Sequence, residues 1–107
     1  MEEFELLTYQ IYDNNIEKFI RKKVIVTSED STLNVYVMQR IGGFWTREDC
    51  KIESSVFNEL NKSLSKVKSK KLDIDTLNFL RYDFIERITY LFYTDDFFVE
   101  NKATIVS

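Results

Sequence analysis

The amino-acid sequence predicts an α+β fold. A three-stranded antiparallel meander across residues 24 to 52 packs against two longer helices, near residues 55 to 70 and 75 to 93, with an N-terminal helical segment and a short C-terminal strand. Three observations carry this. The β-branched runs KVIVT and TLNVYVMQRI bracket a polar turn, Ser28 to Ser31; the adjacent glycines Gly42 and Gly43 can close a second tight turn; and two later stretches repeat apolar residues at helical spacing.

At the N-terminus, Phe4, Leu7 and Ile11 recur at helical spacing, yet Ile16, Phe19 and Ile20 would fall on a different face of one continuous helix. The polar break Asp13, Asn14, Asn15 therefore separates two elements, the second a short helix from about Asn15 to Lys23. TYQIY within the first element suits a strand as well as a helix.

The two turns can be checked against each other through register, because cross-strand partners share a face. Folding about Gly42-Gly43 sets Ile41 opposite Phe44, Val37 opposite Glu48, Val35 opposite Cys50 and Leu33 opposite Ile52. Folding about Glu29-Asp30 adds Val24 and Val26 to that same apolar surface, on which only Glu48 is a misfit. Trp45 falls on the other face, across from Arg40 and next but one to Arg47. Arginine stems covering the ring in a cation–π stack are one reading of it. A docking anchor is the other, since Trp and Arg are enriched at interface hot spots.

Ser54 or Ser55 can cap the next helix, whose stripe is Phe57, Leu60, Leu64 and Val67. Its other side carries Lys62, Lys66 and Lys70, with Lys68 and Lys71 nearby. A phosphate-tracking surface is one reading of that stripe, but lysines also favour a helix C-terminus, and arginines and interleaved aromatics are missing. Asp73 or Asp75 caps the longest helix, with Leu77, Leu80, Phe84, Ile88 and Leu91 on one stripe and Ile85 and Phe92 widening it. Asp83 and Arg87 can pair at four-residue spacing, while Arg81 projects inside the apolar arc. Phe79 and Tyr90 lie nearly opposite the stripe, with Tyr82 and Tyr93 on a flank, so something is expected to cover that side. The candidates are the N-terminal segment, the FFV strand, or a protein interface with a second copy or a target. Beyond Asp95-Asp96, FFV and ATIV read as a terminal strand or hairpin. Without a linker or repeat, residues 1 to 107 are expected to form one domain.

The chemistry on offer is narrow. Histidine is absent, which removes the commonest general base and metal ligand, and the serines have no histidine to activate them. The step Asp49-Cys50-Lys51, with Asp30 upstream, resembles in outline the restriction-endonuclease-like domains, whose carboxylates gather around one divalent metal. In the register above, Asp49 faces Tyr36, six residues along the strand from Asp30. That is on the order of 20 Å, far beyond shared coordination at about 2 to 2.5 Å. Asp95, Asp96 and Glu100 lack a glycine-organised loop for calcium, and Cys50 falls on the core-facing register as an inert thiol. Neither a metal nor a cofactor is expected.

The formal net charge of −3, from 15 basic and 18 acidic side chains, does not announce nucleic acid or membrane as an obligatory partner. The acidic start MEEFELL, the lone cysteine and the lack of a membrane-length apolar run set the expectation of a cytoplasmic protein. Abundant Lys, Asn, Ile, Phe and Tyr with a single alanine fit AT-rich codons, as in a low-GC bacterium, a phage or another mobile element. In type, a small, acidic, aromatic-rich chain of this kind is similar to bacterial immunity proteins, antitoxins and phage-encoded inhibitors. The expected function is therefore non-enzymatic binding of another protein, a heterologous target or a second copy. The expected contacts are Arg40, Phe44, Trp45, Arg47, Phe79, Tyr82, Tyr90 and Tyr93. Nucleic-acid binding through Lys62, Lys66 and Lys70 ranks second, and a small metal-dependent nuclease third.

Overall fold

In the computed structural model, residues 2–13, 16–47, 54–67, 72–91 and 97–100 are described. The elements are β1 (Glu2–Asp13), β2 (Lys18–Glu29), β3 (Thr32–Ile41), β4 (Phe44–Arg47), α1 (Ser54–Ser65), α2 (Ile74–Leu91) and β5 (Phe97–Glu100). All strand pairs are antiparallel, in the order β4-β3-β2-β1-β5. The α+β class is as the sequence predicts, but the sheet is larger: the meander begins at residue 2, and both N-terminal segments expected as helices are strands.

The physical reason for the first error is a β-bulge. Between Glu5 and Leu7 the register of β1 against β2 shifts by one residue, and Leu6 and Leu7 are both buried there. The extra residue places Phe4, Leu7 and Ile11 opposite Val26, Val24 and Ile20, all on one face, so a bulged strand reproduces the spacing of a helical stripe. The second error comes from Lys22. Ile20, Lys22, Val24 and Val26 alternate onto the core face of β2, and Lys22 is itself buried opposite the buried Tyr9. A cation in a core position hides the period-2 signal that would have marked a strand.

The β2–β3 turn closes at Asp30-Ser31 rather than Glu29-Asp30, with φ of 49° and 63°, the left-handed pair that a two-residue hairpin turn requires. Val26 thus faces Val35 and Val24 faces Val37, two residues from the expected partners. A two-residue slip keeps every side chain on its face, so the predicted apolar surface survives. At the next hairpin Gly42 and Gly43, with φ of 61° and 85°, make the expected turn, and Ile41 pairs with Phe44 and Arg40 with Trp45. The expected pairings of Glu48, Cys50 and Ile52 lie outside the described residues.

Both helices pack on one face of the sheet, α1 against β3 and α2 against β1 and β5. The core joins Leu7, Tyr9, Val24, Val26, Val35 and Val37 from the sheet to Val56, Leu60 and Leu64 of α1 and Leu80, Phe84, Ile85 and Ile88 of α2. Asp73 is the N-cap of α2: its Oδ1 accepts a hydrogen bond from the Thr76 backbone N–H at 2.8 Å. Helix α1 stops at Ser65, about a turn sooner than the lysine run implies, closing with hydrogen bonds from the Lys66 and Val67 amides to the Ser63 and Leu64 carbonyls. The terminal strand lies beside β1, pairing Thr8 to Ile11 with Glu100 to Phe97. The ATIV segment lies outside the described residues, as do Phe92 and Tyr93. No described helix is long and apolar enough to cross a membrane.

Candidate functional site

The β2–β3 ladder ends at Lys22 and Gln39, while the flanking hairpins run on to their own turns. A cleft of about 300 Å³ opens beyond that point, lined by Ile16, Lys18, Phe19, Ile20, Arg40, Ile41 and Gly42. Its large apolar rim is uncovered: Ile16 is 51% exposed, Phe19 46% and Ile41 53%, and Phe44, paired with Ile41, is 75% exposed. Ile41 and Phe44 do lie on the helix-facing surface that the register predicts, but the sheet extends past the helices here and leaves them in solvent. Tyr12 steadies the rim from β1, edge-to-face with Phe19 at 5.3 Å between ring centroids.

On the opposite, helix-free face, the turn presents Trp45, half-buried beneath cations. Lys23 Nζ stands 4.2 Å from the ring centroid and Arg40 Cζ 6.0 Å from it. The expected cover of two arginines is thus one lysine from β2 and one arginine, because Arg47 turns to the Tyr36 ring, 4.5 Å away. Tyr36 in turn donates its phenolic proton to Glu3 Oε2 at 2.9 Å, and Lys23 lies 3.8 Å from Glu5. Burial, then the hydrogen bond to the Glu3 carboxylate, raises the Tyr36 phenol above its ordinary value.

The expected contacts therefore separate into two sets. Arg40, Phe44, Trp45 and Arg47 come together at the β3–β4 turn. Phe79, Tyr82 and Tyr90 are exposed on the outward side of α2, Tyr90 at 85%, and Tyr93 lies outside the described residues. Helix α2 packs over β1 and β5, across the sheet from β4, so the two sets do not form one surface. Ile16, Lys18, Phe19, Ile41 and Lys23 belong to the first region and escaped the sequence reading. The signal for Ile41 was present, since it pairs with Phe44, but Phe19 was hidden by the helical assignment of residues 15 to 23.

The lysine helix is engaged internally. Lys62 Nζ lies 2.8 Å from Glu59 Oε1, and Lys66 Nζ lies 3.8 Å from Asp83 Oδ1, while Lys70 falls outside the described residues. Arg87 joins the same inter-helix network, its Nε donating to Asp83 at 2.8 Å and its NH1 to Glu59 at 2.9 Å, and the Ser63 hydroxyl also donates to Asp83. Burial pushes the Asp83 carboxyl up, but hydrogen bonds from Ser63 and Arg87 outweigh it and hold the group below its ordinary value. Glu59, hydrogen-bonded by Lys62 and then Arg87, is held low as well.

Among the described residues no three acidic or cysteine side chains gather as a metal site would require. Asp30 stands at the β2–β3 turn, whereas Glu48, Asp49, Cys50, Lys51, Asp95 and Asp96 lie outside the described residues. No protein-family model matches the chain, and no curated protein or solved structure matches it significantly.

Proposed function

We propose that this chain is a protein-binding domain without catalysis of its own, acting by surface contact as inhibitors, immunity proteins and antitoxins do. The contact surface is the end of the sheet around the β3–β4 turn. The observation that supports it is the grouping of three exposed large apolar side chains, Ile16, Phe19 and Ile41, in the lining of one cleft, with exposed Phe44 paired to Ile41. Isolated apolar residues on a surface need no explanation, whereas grouped ones rimmed by polar side chains are characteristic of docking sites. Arg40 and Trp45 add the side-chain types that carry most binding energy at such sites.

A second reading, docking on α2, draws support from the exposure of Phe79, Tyr82 and Tyr90. A nucleic-acid role for the lysine helix draws less, because Lys62 and Lys66 pair with carboxylates of the chain itself.

The test is retention of proteins from source-cell lysate on the immobilised chain. Phe44→Ala is expected to remove the specifically retained protein, a loss of about 2 kcal/mol or more of binding. Its melting temperature should stay within a few degrees of the parent's, because Phe44 contributes little buried surface. Unchanged retention by a folded Phe44→Ala variant would count against this surface.

A further inference from the structure

The helix-free face carries a concentration of positive charge that the chain's net charge of −3 conceals. Thr8, Lys23, Met38 and Arg47 form one cross-strand row over four strands. In the neighbouring row Gln10 pairs with Arg21 and Arg40 with Trp45, Arg21 and Arg40 each standing one residue past the last β2–β3 pair, Lys22 with Gln39. Four cations, Arg21, Lys23, Arg40 and Arg47, thus occupy two adjacent rows whose one described carboxylate, Glu100, ends the first row on β5 beyond Thr8. The nearest described acid on this face is Glu5, one row further on and 3.8 Å from Lys23.

Resting on the protein-binding reading above, we propose that this face docks a carboxylate-rich segment of the partner protein, with Trp45 at the centre of the contact. Charge complementarity selects an anionic occupant, and arginine forks suit carboxylates, which they can hold through two parallel hydrogen bonds. Two features favour a protein over single-stranded nucleic acid. Base stacking needs open aromatic faces, but Lys23 lies over Trp45 and Arg47 over Tyr36. The chain's net negative charge also opposes a long phosphate backbone more than a short acidic segment. A symmetric pairing of this face with a second copy sets cations against cations.

The experiment is a fluorescence-anisotropy titration of the full chain with two labelled probes at low and moderate salt. One probe is a peptide of about a dozen alternating Glu and Leu residues, and the other an oligothymidylate of matched charge. The peptide should bind, more weakly as salt rises, and Arg40→Glu with Arg47→Glu should reduce its affinity by about tenfold or more. Lys62→Gln with Lys66→Gln, on the far side of the sheet, should leave it unchanged. The neutral pair Arg40→Gln with Arg47→Gln serves if charge reversal disturbs the fold, with an intermediate loss expected. Tighter binding of the oligothymidylate, no binding of the peptide, indifference to both arginine pairs, or self-association that removing these arginines abolishes would each overturn the proposal. Failure here is separable from failure of the protein-binding reading. If lysate retention is lost in Phe44→Ala but kept after charge reversal, the apolar surface stands without the cationic one; if neither substitution matters, both fall.

Discussion

Replacing Phe84 with alanine is expected to remove about 3 to 5 kcal/mol of stability, the usual cost of emptying a buried aromatic site. Phe84 is fully buried on α2 and shares the core with Leu7 and Tyr9 of the sheet. A domain of this size is stabilised by only about 5 to 15 kcal/mol, so the melting temperature should fall on the order of 20 °C, and part of the chain could be unfolded at 37 °C. Tyr82 on the same helix is the control. At 59% exposure its truncation should alter stability by about 0.5 kcal/mol or less. Thermal melts followed by circular dichroism decide this. Similar melting temperatures for the two variants would mean that α2 does not present the face described.

The second large effect concerns the network between the helices. Arg87→Met withdraws a charged hydrogen bond from Asp83 and another from Glu59, and loss of the Asp83 bond should by itself cost about 1 to 3 kcal/mol. The same network sets a pH dependence. Because the folded-state Asp83 carboxyl titrates below its unfolded value, its contribution is fully present above the ordinary aspartate pKa near about 4. It is lost as pH falls through the lowered folded value, since the unfolded chain takes up the proton first. Glu59 acts in the same direction. Asp83→Asn should therefore be less stable than the parent at neutral pH but lose less stability on acidification below about pH 4. Urea unfolding across that range measures it, and superimposable acid limbs would contradict the assignment.

How much of this was legible in the sequence depends on how local the information was. Gly42-Gly43 gave the register of the β3–β4 hairpin, because positive φ and a two-residue loop leave little freedom. The stripes of α1 and α2 were legible because their apolar residues recur at helical spacing, although Arg81 falls inside the α2 arc and Leu91, expected on that stripe, is exposed. The N-terminal strands were not. The bulge at Leu6 counterfeits helical spacing, and Lys22 breaks an alternation that only the packed structure restores. The same loss removed part of the site. Arg40, Phe44, Trp45 and Arg47 follow from one hairpin, but Phe19, Lys23 and the cleft beside Ile41 depend on β2 reaching past the helices. The cation over Trp45 comes from a strand not adjacent to its own, and sequence pairing rules reach only adjacent strands.

The most direct measurement places a photo-crosslinking benzoyl-phenylalanine at position 44 in one variant and at position 82 in another. Each is irradiated in the cells from which the gene comes. Both side chains are exposed, so each can react with a docked neighbour. A discrete protein adduct is expected from position 44 and none from position 82. An adduct from position 82 alone would move the docking surface to α2, and no protein adduct from either position would contradict the protein-binding function itself.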